Sequence, residues 1–330
     1  MPEFLAAFPD GQPSISDWAA ATASLADDVR PVHEFLLLGR AVDTRILPPE
    51  LQECFPQLSE VGILDHQGGK AQLIDAVLMR PLGLWLFAAP PSPFETDLYF
   101  GADSVQLARQ LDIVPGSFVL DLCSGTGLQG LAAASRGATV HTVEINAAAA
   151  AVAGVNVALN GFADRMSRWT GDLFAPLPAE AVYDQVIANI PFLPGVANEP
   201  DGFAAGRAIL RRLPSRLAPD GTACLTALVL TTPEGHVLPG GLREFCDRAG
   251  RGLVARLGES WPVEAESSLV QTLADEVAED EDDFADRVDE IVRGFRRRGV
   301  VEARTAVLHI GPVGGAGAIS FVDSVTEGRA

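Results

Sequence analysis

The chain of 330 residues holds a single lysine, Lys70, and only 24 basic residues against 44 acidic ones, for a formal charge of −20. So few cations disfavour an extended nucleic-acid partner, because each phosphate contacted must be met by a cation that displaces counterions. Cysteine is also scarce. Cys54, Cys123, Cys224 and Cys246 lie far apart with no CxxC or Cys/His spacing, so the sequence signals neither a disulfide framework nor a metal site. The five histidines are scattered and read as structural or surface residues. Runs approaching the ~20 apolar residues of a membrane span are missing. Residues 1–10 lack a basic leader followed by an apolar stretch, so no membrane partner and a cytoplasmic location are expected.

What is present is ordinary globular composition, 48% hydrophobic and 21% charged, with length enough for roughly two domains. Residues 33–38, 49–55 and 73–86 form short amphipathic runs around a polar turn at 65–70. Helices with a small β-hairpin suit this pattern, as in a winged-helix-like module, and the shortage of bases favours a cap or homodimerisation role over DNA binding. Pro90, Pro91 and Pro93 mark a linker. The expected division is a mostly helical amino-terminal module, residues 1–95, and a second domain, residues 96–330.

The second domain alternates β runs with alanine-rich helical stretches. Residues 118–122, 138–143 and 185–188 are short and apolar, as in parallel strands buried on both faces, and residues 128–136 and 147–159 have the composition of helices packed between them. This predicts an α/β fold with a Rossmann-like doubly wound sheet. A strand at 222–230 follows, and a turn at 311–317 suggests that the runs 304–310 and 318–322 form an antiparallel hairpin closing the sheet. Residues 272–299 read as an acidic helical insertion, with acids at the start and arginines at the end complementing a helix dipole.

The first β run ends in Asp121-Leu-Cys-Ser-Gly-Thr-Gly127, a glycine turn at a helix start. Gly125, Gly127 and Gly130 satisfy the dinucleotide fingerprint. Asp121 redirects that reading, since a carboxylate facing the loop repels a pyrophosphate but suits S-adenosylmethionine, which carries an ammonium and a sulfonium. Glu144 ends the second strand at a spacing suited to ribose hydroxyls. Asp172, after the third strand, can accept from an adenine amino group while Leu173 packs on the ring. The fourth strand ends in Asn189-Ile-Pro-Phe192, where the Asn189 oxygen and the Ile190 carbonyl can hold a nitrogen whose lone pair faces a methyl group. Phe192 offers an aromatic face.

Over about residues 97–230 the sequence resembles the class I S-adenosylmethionine-dependent methyltransferases, specifically the branch with an Asn-Pro-Pro-Tyr/Phe motif that includes the release-factor glutamine methyltransferases. The resemblance implies that Asp121, Ser124, Gly125, Gly127, Glu144, Asp172 and Leu173 bind the cofactor. It implies that Asn189, Ile190, Pro191 and Phe192 hold the acceptor, with Tyr99 and Phe100 near the substrate. Ile190 departs from the branch by replacing its first proline, and with it proline's fixed torsion.

The acidic charge favours transfer of the methyl to a nitrogen of a small-molecule substrate. Two further readings are N-methylation of ribosomal RNA or a protein glutamine, and cyclisation of S-adenosylmethionine itself to azetidine-2-carboxylate with release of methylthioadenosine. A DNA-binding regulator and an NAD-dependent oxidoreductase remain as other classes.

Overall fold

The computed structural model describes residues 15–90, 96–191, 202–278, 280–312 and 317–323. The chain divides into two compact units, Met1–Leu177 and Pro178–Ala330. The linker expected at residues 90–95 falls almost wholly outside the described residues.

The first unit opens with α1 (Ile15–Ala23), α2 (Arg30–Leu36), β1 (Val42–Asp43), α3 (Pro49–Gln52), α4 (Phe55–Glu60), β2 (Leu64–Gln67) and β3 (Lys70–Leu73). Strand β3 lies between β1 and β2 and is antiparallel to both. Gly68 and Gly69 join β2 to β3 with φ of +59° and +76°, the left-handed pair that a two-residue hairpin turn needs. Phe35, Phe55, Leu58 and Leu73 are buried around it. The run 73–86 is not helical. It becomes β4 (Val77–Met79) and β5 (Leu86–Ala88), an antiparallel pair. Pro81 and Gly83 form a short 3-10 turn between them, and proline there removes a donor that a continuous helix requires.

Next come α5 (Ala102–Gln110), β6 (Phe118–Leu122), α6 (Leu128–Ser135), β7 (Thr139–Glu144), α7 (Ala147–Leu159) and β8 (Met166–Thr170). Strands β6, β7 and β8 lie side by side and parallel. Val119, Leu120 and Leu122 are fully buried, as strands covered on both faces demand. Trp169 of β8 lies against His141 of β7, ring centroids 4.1 Å apart.

One side chain joins the small strands to the parallel ones. Asn156 is the single polar residue in the apolar sequence of α7 and is fully buried. Its Oδ1 accepts the Phe87 N–H at 2.7 Å, and its Nδ2 donates to the Phe87 and Thr126 carbonyls, both at 2.9 Å. One turn later Asn160 pairs in the same way with both backbone groups of Trp85, at 2.9 and 2.7 Å. Two amides four residues apart on a helix face thus act as a substitute neighbour strand for β5.

The second unit contains β9 (Tyr183–Ala188), α8 (Ala204–Arg212), β10 (Leu217–Thr232), β11 (Gly235–Val237), α9 (Leu242–Ala249), β12 (Gly252–Pro262), α10 (Ser268–Val277), α11 (Glu281–Arg297), β13 (Glu302–Gly311) and β14 (Ile319–Asp323). Its strands run β9-β10-β13-β12-β14 in space. The β9/β10 and β12/β14 pairs are parallel, while β10/β13 and β13/β12 are antiparallel. The architecture is mixed α/β with parallel pairing at its centre, the Rossmann-like class expected from the sequence.

The closing hairpin needs correction. Strand β13 is flanked by β10 and β12 and has no edge left for β14, which pairs with β12 instead. Strand β12 itself escaped the sequence reading, although buried Leu253, Ala255 and Leu257 alternate with half-buried Val254 and Arg256. The acidic stretch is two helices rather than one. Val270, Ala274, Val288 and Val292 pack the pair together. Leu273 and Phe295 reach Leu228 and Leu230 of β10, so these helices carry a core face beneath their charged one.

Replacing Asn156 by alanine leaves three buried backbone groups without partners. The expected loss is about 2–4 kcal/mol in urea unfolding, against a smaller loss for Asn160→Ala, whose site is half-buried. Equal or negligible losses would contradict the bridging role.

Candidate active site

The turn between β6 and α6 is built from unusual backbone. Cys123, Gly125 and Gly127 have φ of +51°, +52° and +94°. Glycine adopts such values freely, but a cysteine there costs about 1–2 kcal/mol, strain of the kind kept at functional sites. Nothing lies within 4 Å of the position a Cβ would take on Gly125, so that side of the turn is open. Ser124 is buried, its N–H donating to the Val143 carbonyl at 3.2 Å and its carbonyl accepting the Gly127 N–H at 2.8 Å.

Two carboxylates hold this turn. Glu144, at the end of β7, accepts the Gly125 N–H at 2.7 Å on one oxygen and the Asn146 N–H at 2.8 Å on the other. Asp121 accepts the Gly130 N–H of α6 at 2.8 Å. It is completely buried, and its Oδ1 has no hydrogen-bond partner among the described residues. Asp121 thus supports the first turn of α6 through Gly130. Burial pushes its carboxyl up to about 8, against the Gly130 bond and with help from the Glu144 charge. Burial likewise raises the half-buried Cys123 thiol to about 12, reinforced by Glu144, Asp121 and Asp172.

Asp172 is exposed just past β8, and Leu173 beside it is half-buried with φ of +45°. The Gly171 N–H donates to the Glu144 carbonyl at 2.9 Å, joining this turn to the end of β7. Tyr99 is half-buried, its hydroxyl donating to Asp103 at 2.8 Å. Phe100 is 2% exposed and fills the core. Among the described residues no group of three or more His, Cys, Asp or Glu is placed to hold a metal ion. No helix among them is long and apolar enough to cross a membrane.

In the second unit, Asn189 follows the last residue of β9. Thr226 of β10 sits beside it, 2% exposed. The Thr226 hydroxyl donates to Asn189 Oδ1 at 2.8 Å, and the Ile190 N–H donates to Thr226 Oγ1 at 2.9 Å. Ile190 is buried and Pro191 exposed. Phe192, expected to offer an aromatic face, lies outside the described residues.

A glycine turn open on one side, an acid at the end of the next strand, a second acid past the third and an asparagine after a fourth form the ordered set expected from the sequence. Residues 101–231 match the family described as the methyltransferase small domain. The match covers less than half of the chain. Methyltransferases of this class use S-adenosylmethionine, and residues of the matched segment fit that cofactor: the open Gly125 face gives room, and Glu144 and Asp172 supply acceptors.

A ribosomal protein uL3 glutamine methyltransferase of Bradyrhizobium diazoefficiens is 38% identical over 122 residues, 31% of this chain and 38% of that protein. A release factor glutamine methyltransferase of Gloeobacter violaceus is 31% identical over 141 residues, 42% of this chain and 48% of that one. The chain thus spans less than half the length of these curated relatives. The solved structure of a T. thermophilus 16S rRNA N2 G1207 methyltransferase in complex with AdoMet and guanosine is similar at a TM-score of 0.43 and 19% identity, covering 82% of this chain and 63% of that one.

Sequence reasoning missed Thr226 and Asn156 in the matched segment. Asn156 left a signal, as a lone amide in an apolar helix, whereas a threonine inside a strand leaves none. The raised Asp121 carboxyl has a sign that can be tested. A folded-state value near 8 means that stability present at low pH is lost as pH rises through about 8. Thermal melts of wild type and Asp121→Asn are expected to shift in favour of the variant between pH 4 and 9; parallel curves would place Asp121 in a wetter setting.

Proposed function

We propose that the chain transfers a methyl group from S-adenosylmethionine to the side-chain amide nitrogen of a protein glutamine. The single observation carrying this reading is Asn189 after β9, with its Oδ1 accepting from Thr226, in a chain similar over part of its length to relatives named as glutamine methyltransferases. In the first unit, Glu144 would accept from the ribose, Asp172 and Leu173 would meet the adenine, and Gly125, Gly127 and Ser124 would line the turn. Asp121 would act by holding α6. The cofactor supplies an electrophilic methyl on a sulfonium. In the second unit, Asn189 Oδ1 and the Ile190 carbonyl would accept the two N–H bonds of a primary amide, and one of those protons leaves as the nitrogen gains carbon. A planar amide nitrogen is a weak nucleophile because its lone pair is delocalised, so these residues would contribute chiefly by orienting it and drawing on its protons.

This replaces the small-molecule acceptor suggested by charge with one of the alternatives weighed beside it. The formal charge of −20 favours a basic polypeptide, which a negative surface attracts, over RNA, whose phosphates it repels. The cyclisation reading has no support in relatives named for methyl transfer.

The test is incubation of the purified chain with methyl-labelled S-adenosylmethionine and, in parallel, a mixture of basic ribosomal proteins, deproteinised ribosomal RNA and small amines. Label on glutamine, located by mass spectrometry, is the expected result. Label on RNA or amines alone would overturn it. For the cofactor half, Glu144→Ala is expected to weaken S-adenosylmethionine binding by about 10–100-fold in calorimetry, the worth of a hydrogen bond to a charged group.

A further inference from the structure

The replacement of the motif's first proline by Ile190 changes more than a torsion. Proline has no N–H, whereas the Ile190 N–H donates to Thr226 Oγ1 at 2.9 Å. A hydroxyl has one proton and two lone pairs. With a lone pair of Oγ1 engaged by Ile190, the Thr226 proton is aimed at Asn189 Oδ1, 2.8 Å away. Thr226 and Ile190 are each 2% exposed, so water does not compete for the bond between them, while Asn189 is half-buried and faces solvent in part.

We propose that Thr226 is a positioning residue for the acceptor motif: the chain Ile190 N–H to Thr226 Oγ–H to Asn189 Oδ1 sets which edge of the Asn189 amide presents its oxygen. The inference rests on the reading of Asn189 as the acceptor-holding residue. An asparagine amide rotated by half a turn exchanges an acceptor for a donor, and a donor there repels the N–H of a glutamine amide. The hydroxyl disfavours that exchange, because a flipped amide would take the acceptor away from the Thr226 proton. A carbonyl oxygen accepts two hydrogen bonds, so the one from Thr226 uses half its capacity and polarises the rest. Ile190 thereby restores through hydrogen bonding the restraint that proline supplies by its ring. The pair is held by the register of the sheet, in which Ala188 stands opposite Leu225, one residue before each member of the Asn189 to Thr226 contact.

The test compares wild type, Thr226→Val and Thr226→Ser in the full chain. Valine keeps the shape and removes both bonds, while serine keeps the hydroxyl. Two readouts are taken. With isoleucine and asparagine labelled by 15N, the Ile190 amide is expected to exchange with solvent at least about tenfold faster in Thr226→Val, and the Asn189 side-chain amide resonances are expected to shift. Serine is expected to restore both. With a glutamine-containing substrate, kcat is expected to fall by about 10–100-fold in Thr226→Val, while calorimetric binding of S-adenosylmethionine stays within about twofold and serine recovers most of the rate. Unchanged Ile190 exchange and Asn189 resonances would overturn the relay whatever the substrate. If wild type methylates no glutamine but the spectroscopic changes appear, the relay stands and the acceptor assignment falls.

Discussion

The backbone after β6 passes three times through left-handed conformations, at Cys123, Gly125 and Gly127, and within it one backbone bond, Gly127 N–H to the Ser124 carbonyl, leaves other groups to be met from outside. Side chains from three different elements hold it. Asp121 of β6 accepts from Gly130, Glu144 of β7 from Gly125, and Asn156 of α7 donates to Thr126. Each is buried or nearly so, which makes every bond costly to break. The shape of the turn is therefore a property of the packed β6-β7-β8 layer and its helices, and the site inherits the rigidity of that core.

The same economy appears in the second unit. Long β10 borders β9 on one side and β13 on the other, so its middle is shielded and a threonine there must find its partners within the protein. Thr226 finds them in Asn189 and Ile190. The helices α10 and α11, whose acidic faces dominate the sequence there, owe their position to Leu273 and Phe295 packed against β10. Charge set their surface and apolar periodicity set their docking.

How much of this could be read in advance follows from the range of each interaction. Strands β6 and β7 and helix α7 announced themselves because their signals are local: apolar runs, glycine turns and alanine-rich composition. The positions of Asp121, Glu144, Asp172 and Asn189 at or just past strand ends were legible because the strands are apolar runs. The bond from Gly130 to Asp121 was not, since it depends on how α6 packs against β6. The β12/β14 pairing was hidden for a related reason, because strand neighbours are chosen by available edges, which a linear reading of 304–322 cannot count. Leu73 to Leu86 misled because amphipathic spacing over a short run fits both periods, and Pro81 settled it for strands.

Asn156 has one further implication, for recombination. Its amide is shared between Phe87 and Thr126, so the amino-terminal segment cannot be exchanged as an independent cassette. A graft that brings a different residue path at 85–87 would strip the Asn156 amide of the two Phe87 partners that orient it toward the glycine turn, and any transplant between homologues has to move α7 together with the segment it fastens.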